Sequence, residues 1–124
     1  MEKNIKLFNR FANHLADEAR KISMFYFKKK IKINNKSKKD FDPVTVADIG
    51  IQKKINKLID KQFPSHSILG EEDSIIRNSE YEWCVDPIDG TKSYIQGVPL
   101  WGTLIALSKN NKIILGLADI PALD

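Results

Sequence analysis

Two stretches of the chain carry apolar residues at the spacing of an amphipathic helix. In residues 4–27 the apolar positions are Ile5, Phe8, Ala12, Leu15, Ala19, Ile22 and Tyr26. In the second stretch, which follows Pro43, they are Ile51, Ile55, Leu58, Ile59 and Phe63. This recurrence predicts two helices with one apolar face each, the second of about five turns. Pro64 has no backbone N–H, so it predicts the end of the second helix.

Shorter apolar runs after the second helix predict strands over residues 67–69, 81–85, 100–107 and 113–117. Residues 73–80 are polar and predict a loop, and Asn110-Asn111 predicts a hairpin turn. Two helices followed by several strands indicate an α+β fold, or a layered α-β sandwich with N-terminal helices on a mostly antiparallel sheet. With so few strands and two helices, one face of that sheet should be bare.

The charge of the chain is unevenly distributed. The net charge is +4, but residues 1–40 carry twelve Lys/Arg and four Asp/Glu, whereas residues 41–124 carry eight and twelve. The lysines cluster in KKKIKINNKSKK, residues 28–39, which has little aromatic content. A basic segment can attract nucleic acid. We favour a solvated loop, and a basic nucleic-acid-binding module is the less favoured alternative.

Nothing in the composition indicates a membrane or an oxidising compartment. No apolar run approaches the roughly 20 residues of a membrane span, and the first residues lack the apolar core of a secretory signal. The single cysteine, Cys84, cannot form an internal disulfide and is expected to be a small core residue. We therefore expect a cytoplasmic protein without membrane association.

Carboxylates stand at the edges of three predicted elements. Asp48 lies in PVTVAD at the start of the second helix, Glu71 and Glu72 follow the first strand, and Asp86 and Asp89 follow the second. Sites in layered α/β folds gather where strands end. Carboxylates brought together there would repel one another without a cation, and oxygen ligands without His or Cys favour Mg²⁺. His14 and His66 lack a partner at metal-ligand spacing and are expected to be surface or structural residues.

The residues after Asp86 add a site for phosphate. If Gly90 and Thr91 begin a short helix, their free N–H groups can bind an anion. Pro87 fixes the backbone so that both aspartates can face one space, and the Ile88 carbonyl between them is a candidate metal ligand. Carboxylates, metal, phosphate cradle and hydroxyl are the parts of metal-assisted phosphate ester hydrolysis.

Each motif also has an interpretation without chemistry. Thr45 and Asp48 could only cap a helix, Glu71-Glu72 could belong to a solvated acidic loop, and DPIDG could be a turn. Trp83 and Trp101 are expected in the core. The functional interpretation depends on the three acidic motifs occurring together and in order.

The motifs VTVAD, LGEED and WCVDPIDGTKSY resemble the successive motifs of the inositol monophosphatase family of magnesium-dependent, lithium-sensitive phosphatases. The resemblance covers essentially the whole chain. The text DGTKSYIQGVPLWGTLIAL is most similar to the histidinol-phosphatase branch. It implies a phosphomonoesterase that hydrolyses L-histidinol phosphate in histidine biosynthesis by direct attack of water. An inositol-1-phosphate or 3′-phosphonucleotide phosphatase of the same fold is the alternative.

The resemblance also implies roles for residues of the metal site. Two or three Mg²⁺ ions would be bound by Glu71, Asp86, the Ile88 carbonyl and Asp89, with Asp86 bridging two of them. Glu72 would lie just outside these ligands.

The same resemblance assigns the phosphate and the water. Gly90 and Thr91, together with the metal ligands Glu71 and Asp89, would contact the substrate. Thr91 and Asp48 would orient the attacking water, with Thr45 as an outer neighbour of Asp48.

Two departures from the family pattern stand out. Gln52 occupies a position after the VTxAD motif where an acidic residue is common. Family members are also considerably longer and contain a later Trp-Asp motif, so residues 1–124 are expected to be the N-terminal part of the domain. We therefore expect this piece to be inactive alone, a truncated fragment at most binding metal weakly, and the complete protein to act on a small phosphate monoester as a homodimer.

Overall fold

The computed structural model describes residues 2–29, 33–35 and 43–123. The elements are α1 (Glu2–Tyr26), β1 (Ile33–Asn35), β2 (Pro43–Thr45), α2 (Val46–Gln62), β3 (Ser67–Gly70), β4 (Tyr81–Asp89), α3 (Thr91–Ile95), β5 (Gly102–Lys109) and β6 (Lys112–Asp119), followed by a 3₁₀ turn over Pro121–Leu123. Within these ranges no helix is long and apolar enough to cross a bilayer.

The two long helices confirm the helix predictions and pack on one face of a sheet. Their apolar stripes meet the inward side chains of the strands, because periods of 3.6 and of two each place apolar residues on a single face. The buried core includes Phe8, Ala12, Leu15 and Ala19 of α1, Ile51, Ile55 and Ile59 of α2, and Trp83, Val85, Ile105 and Leu107 of the sheet. Trp101 is buried as well, so both tryptophans are core residues as expected.

The main sheet has four strands in the order β3-β4-β5-β6. The pair β3–β4 is parallel, and the pairs β4–β5 and β5–β6 are antiparallel. The predicted arrangement of helices on a mostly antiparallel sheet is therefore confirmed. Asn110 and Asn111 turn the last hairpin with φ angles of 50° and 68°, the left-handed conformation that two-residue hairpin turns need.

One face of the sheet carries no covering element within the described residues, as the sequence predicts. Side chains alternate along each strand, so the residues between the core positions face outward. Leu69, Leu104 and Ile113 lie on this face and are 48%, 38% and 75% exposed. The surface formed by Leu69, Cys84, Leu104, Ala106, Ile113 and Ala118 is called the bare face below.

Three sequence-based expectations are corrected. Cys84 is not a core residue: it is half-buried on the bare face, because Trp83 and Val85 take the inward positions beside it. The lysine-rich segment is not loop throughout, since Ile33–Asn35 pairs with Pro43–Thr45; residues 30–32 and 36–42 lie outside the described residues. Finally, β4 continues through Asp89, so Asp86 and Asp89 lie inside a strand.

His66 is a structural residue. It is buried, and its Nδ1 accepts a hydrogen bond of 3.1 Å from the Trp83 indole N–H. Its ring stacks between Phe63 and Tyr81, with centroids 4.7 Å from each. Burial lowers the pKa of His66, which favours the neutral imidazole that can accept this bond.

Candidate active site

Asp48 closes a capping box at the start of α2. The Thr45 hydroxyl accepts hydrogen bonds from the N–H groups of Ala47 (3.2 Å) and Asp48 (3.4 Å). In return, Asp48 Oδ1 accepts from Thr45 N at 2.8 Å and from Thr45 Oγ1 at 2.5 Å. These reciprocal bonds satisfy N–H groups that a helix start leaves open. Thr45 and Asp48 therefore do cap α2, as the interpretation without chemistry states.

The second carboxylate oxygen of Asp48 makes a different contact. Asp48 Oδ2 lies 3.2 Å from the hydroxyl of Thr91, which begins α3, and that hydroxyl is also 3.0 Å from the Ile88 carbonyl. Asp48 is 1% exposed, and burial raises the pKa of its carboxyl while the Thr45 bonds oppose the rise. The fold thus brings together Asp48 and Thr91, two residues far apart in the sequence.

A β-bulge aligns Asp86 with Asp89. In a regular strand, residues three apart point to opposite faces. Asp86 pairs with Leu104 and Asp89 with Gly102, so β4 uses one residue more than β5 between these pairs. Since Leu104 and Gly102 are two apart, both aspartates come to the side of the bare face. The extra residue lies at Pro87-Ile88, and bulges tolerate proline within sheets.

A hydrogen bond at Pro87 and a tightly packed glycine after Asp89 fix the backbone of the bulge. The Pro87 carbonyl accepts from the buried Thr103 hydroxyl at 2.8 Å. Gly90, which follows Asp89, has φ +88°, and a Cβ there would lie 2.9 Å from the Leu100 carbonyl oxygen. A side chain is therefore excluded at Gly90 by both conformation and space. Thr91 then starts the short helix that the sequence predicts.

Glu71 reaches the same end of the sheet from β3. The strands β3 and β4 are parallel, and the last residue of β3, Gly70, pairs with Val85. The Glu71 N–H donates to the Val85 carbonyl at 3.0 Å, which places Glu71 next to Asp86. Both residues line a depression of about 810 Å³ on the bare face.

The electrostatics at this end of the sheet are strongly negative. Burial and the charges of Glu71, Asp89, Asp48 and Glu72 together raise the pKa of Asp86 to about 6. The other four predicted acids thus all lie close enough to act on Asp86. A cation would relieve this repulsion, and the donor set, carboxylates with a backbone carbonyl, suits Mg²⁺ in kind. Within the described ranges, however, no three His, Cys, Asp or Glu side chains converge closely enough to form a ready-made metal site.

A family model described as the inositol monophosphatase family matches residues 5–124. The chain belongs to the inositol monophosphatase family. Among its relatives, it is 45% identical to the bifunctional phosphatase IMPL2, chloroplastic, of Arabidopsis thaliana, with coverage of 93% of this chain and 34% of that protein. It is 40% identical to a histidinol-phosphatase of Chlorobaculum parvum, with coverage of 90% and 43%.

Solved structures of the inositol monophosphatase fold agree with this membership. The chain superposes on the extragenic suppressor protein suhB of Bartonella henselae with a TM-score of 0.89 at 27% identity, covering 95% of this chain and 46% of that one. A structure described as an IMPase/NADP phosphatase complexed with Mg²⁺ and phosphate matches with a TM-score of 0.81 at 22% identity, which shows the shared fold. The chain spans less than half the length of these family members.

Sequence reasoning found the acids of this site but missed the residues that hold them. The apolar pattern identifies Thr103 only as a strand residue and assigns no role to Asn56. Gln52 stands out in the sequence only as a departure from the family pattern. A signal was present in the sequence: Asp48, Gln52 and Asn56 recur every four residues, which places three polar side chains on one line along α2.

Proposed function

We propose that the protein to which these residues belong is a Mg²⁺-dependent phosphomonoesterase that hydrolyses L-histidinol phosphate to histidinol and phosphate. In this proposal residues 1–124 form the N-terminal part of the catalytic domain. The observation that carries the phosphatase proposal is that Glu71 and Asp89 lie close enough to Asp86 for their charges to act on it, beside the Asp48–Thr91 pair. Membership of a phosphatase family supports it.

Glu71, Asp86, Asp89 and the Ile88 carbonyl would hold two or three Mg²⁺ ions. When bound, the ions polarise the phosphoryl oxygens and lower the pKa of bound water. Asp86 is suited to the central position, since burial and the neighbouring acids raise its pKa to about 6 and a cation beside it would favour the ionised carboxylate. The structure related by fold that contains Mg²⁺ and phosphate supports the choice of metal.

Asp48 and Thr91 would orient the attacking water. The Thr91 hydroxyl can donate its proton to Asp48 Oδ2, 3.2 Å away, and its oxygen then remains free to accept a hydrogen bond from water. Asp48 would thereby act as the base through Thr91. The N–H groups at Gly90 and Thr91 would hold the phosphate beside this water.

The variant Asp48→Asn distinguishes the capping role of Asp48 from its proposed role in catalysis. Loss of the capping carboxylate should cost about 1 kcal/mol in the free energy of unfolding. If Asp48 also acts through Thr91, kcat should fall by roughly 100-fold or more. KM should change little, because the ground-state contacts to phosphate remain. Urea unfolding and steady-state kinetics of the full-length protein measure both effects, and an unchanged kcat would refute the catalytic role.

The substrate proposal depends on the segment that follows the aspartates. Residues 91–107, TKSYIQGVPLWGTLIAL, resemble the histidinol-phosphatase branch, and the Chlorobaculum parvum relative carries that name. Another relative, 39% identical, is named fructose-1,6-bisphosphatase/inositol-1-monophosphatase and comes from Aquifex aeolicus. An inositol phosphatase is therefore the competing candidate.

Kinetics on two substrates decide between these candidates. The full-length protein should hydrolyse histidinol phosphate with a higher kcat/KM than myo-inositol 1-phosphate, both assayed with saturating Mg²⁺. The cationic amine and imidazole of histidinol phosphate would require complementary groups, which an inositol site does not need. Equal or reversed preference would favour the inositol phosphatase.

A further inference from the structure

A line of buried polar side chains runs along α2 between its apolar positions. Asp48, Gln52 and Asn56 are 1%, 1% and 6% exposed, while Ile51, Ile55 and Ile59 of the same helix are fully buried. Burying an amide costs free energy unless its donors and acceptors are satisfied. The partners of Gln52 and Asn56 therefore show what this line contributes.

Gln52 and Asn56 form a one-directional relay of hydrogen bonds to the acidic loop 70–74. The Glu72 N–H donates to Gln52 Oε1 at 3.4 Å. Gln52 Nε2 donates to Asn56 Oδ1 at 2.8 Å, and Asn56 Nδ2 donates to the Asp73 carbonyl at 3.4 Å. The relay thus begins and ends on backbone groups of the loop. Each of the two side-chain amides accepts one hydrogen bond through its oxygen and donates one through its nitrogen.

The loop is packed closely against this relay. A Cβ on Gly70 would lie 2.1 Å from the Asp73 carbonyl oxygen and 2.5 Å from the Gln52 amide. The close approach of Asp73 and Gln52 therefore leaves no room for a side chain at position 70. The Ser74 hydroxyl closes the loop, accepting from Gly70 N at 3.0 Å and lying 3.3 Å from Gly70 O.

Two successive backbone N–H groups, those of Glu71 and Glu72, fix the position of Glu71. Its own N–H is bonded to the Val85 carbonyl of β4, and the next N–H, that of Glu72, is bonded to Gln52 of α2. The peptide between these two anchors carries the Glu71 side chain toward Asp86. Glu71 and Asp86 repel each other, and the two bonds oppose that repulsion.

We propose that Gln52 and Asn56 are positioning residues, whose amide relay holds the acidic loop against α2 so that Glu71 stays within reach of a metal shared with Asp86. This inference rests on the proposed function. It also gives the departure at Gln52 a physical meaning: a carboxylate there could accept from Glu72 but could not donate to Asn56, and it would add another negative charge. The neutral amide serves both neighbours.

Two variants of the full-length protein test the relay. Gln52→Met keeps the length of the side chain and removes both bonds of the Gln52 amide. Asn56→Ala removes the bonds of Asn56 to Gln52 and to the Asp73 carbonyl and leaves the Gln52–Glu72 bond in place, so it still tests the relay if the first variant fails to fold. Ser67→Ala is the control, because it removes a buried hydroxyl that bonds Arg77 and does not contact the loop. The readouts are the Mg²⁺ concentration for half-maximal phosphate release and the Mg²⁺-induced rise in melting temperature.

Both relay variants should need about tenfold more Mg²⁺, the scale of losing an outer partner of a metal ligand. They should largely retain kcat at saturating Mg²⁺ and show a smaller Mg²⁺-induced rise in melting temperature. Ser67→Ala should lower the melting temperature without changing either Mg²⁺ response. Relay variants that behave like this control would overturn the proposal.

The thermal measurement also separates this inference from the proposed function. If the wild-type protein is stabilised by Mg²⁺ but releases no phosphate, the phosphatase proposal fails, and the thermal shifts of the variants still decide the relay. If Mg²⁺ does not stabilise the wild type at all, the metal site fails, and the relay proposal fails with it.

Discussion

Asp86→Asn should reduce Mg²⁺-dependent phosphate release by about 1,000-fold, the upper range for losing one group that stabilises developing charge. Asp86 faces Glu71 and Asp89 and experiences the charge of every acid in the site. Asparagine has nearly the same shape but cannot neutralise a cation. The measurement is phosphate release from histidinol phosphate by the full-length protein over a range of Mg²⁺ concentrations.

The same variant should be more stable than the wild type without Mg²⁺. The pKa of Asp86 is raised to about 6 in the folded state, so as pH rises from about 4 to 6 the folded state loses stability through this group. At pH 7 that cost is fully present, and asparagine removes it. The gain should be about 1 kcal/mol after allowance for solvent screening.

Asp17→Asn is the matched control for Asp86→Asn. It makes the same chemical change at an exposed position of α1, so both phosphate release and stability should stay at wild-type values. Normal activity of Asp86→Asn at saturating Mg²⁺ would remove Asp86 from the metal site.

Residues 1–124 produced alone should associate or aggregate and should lack phosphatase activity. Leu69, Leu104 and Ile113 expose apolar surface on the bare face, and contiguous apolar surface drives association. Glu71 and Asp86 open onto the same face. Whatever covers this face in the full-length protein would therefore also close the site against bulk water.

Surface variants of this 124-residue piece can separate solubility from catalysis. Replacing Leu104 and Ile113 with glutamine should improve size-exclusion behaviour without producing activity. The same replacement at Leu7 and Phe25, exposed apolar residues of α1, should not improve it. A monodisperse 1–124 that turns over substrate at about 1 per second or faster would show that the site is complete without a cover.

The helices and the sheet could be predicted because their apolar residues recur at helical and strand periods. In β4, Trp83 and Val85 alternate with Cys84 and Asp86, and this alternation already indicates that Cys84 faces away from the core. The apolar character of the whole segment nevertheless favours a core position for Cys84, which is why that prediction is wrong. The β1–β2 pair was not predictable from the apolar pattern, because a three-residue strand among lysines and asparagines has too few apolar positions to show a period.

The acids of the candidate site could be predicted, but their mutual orientation could not. Asp86 and Asp89 share a side only because β4 gains one residue relative to β5, and a register shift is a property of two strands that a single segment does not encode. The contact of Asp48 with Thr91 depends likewise on α3 meeting α2. Local spacing predicts the cap that Asp48 forms with Thr45, whereas the Asp48–Thr91 pair is suggested only by the resemblance.

We propose that Glu71, Asp86, Asp89 and the Ile88 carbonyl together bind metal at the end of β4. The most direct measurement is an anomalous difference map from crystals of the full-length protein grown with Mn²⁺ and phosphate. We expect a metal peak about 2.1 Å from oxygens of Asp86 and Ile88, with phosphate beside Thr91. A well-ordered site without a peak, or with a peak bound by other residues, would contradict it.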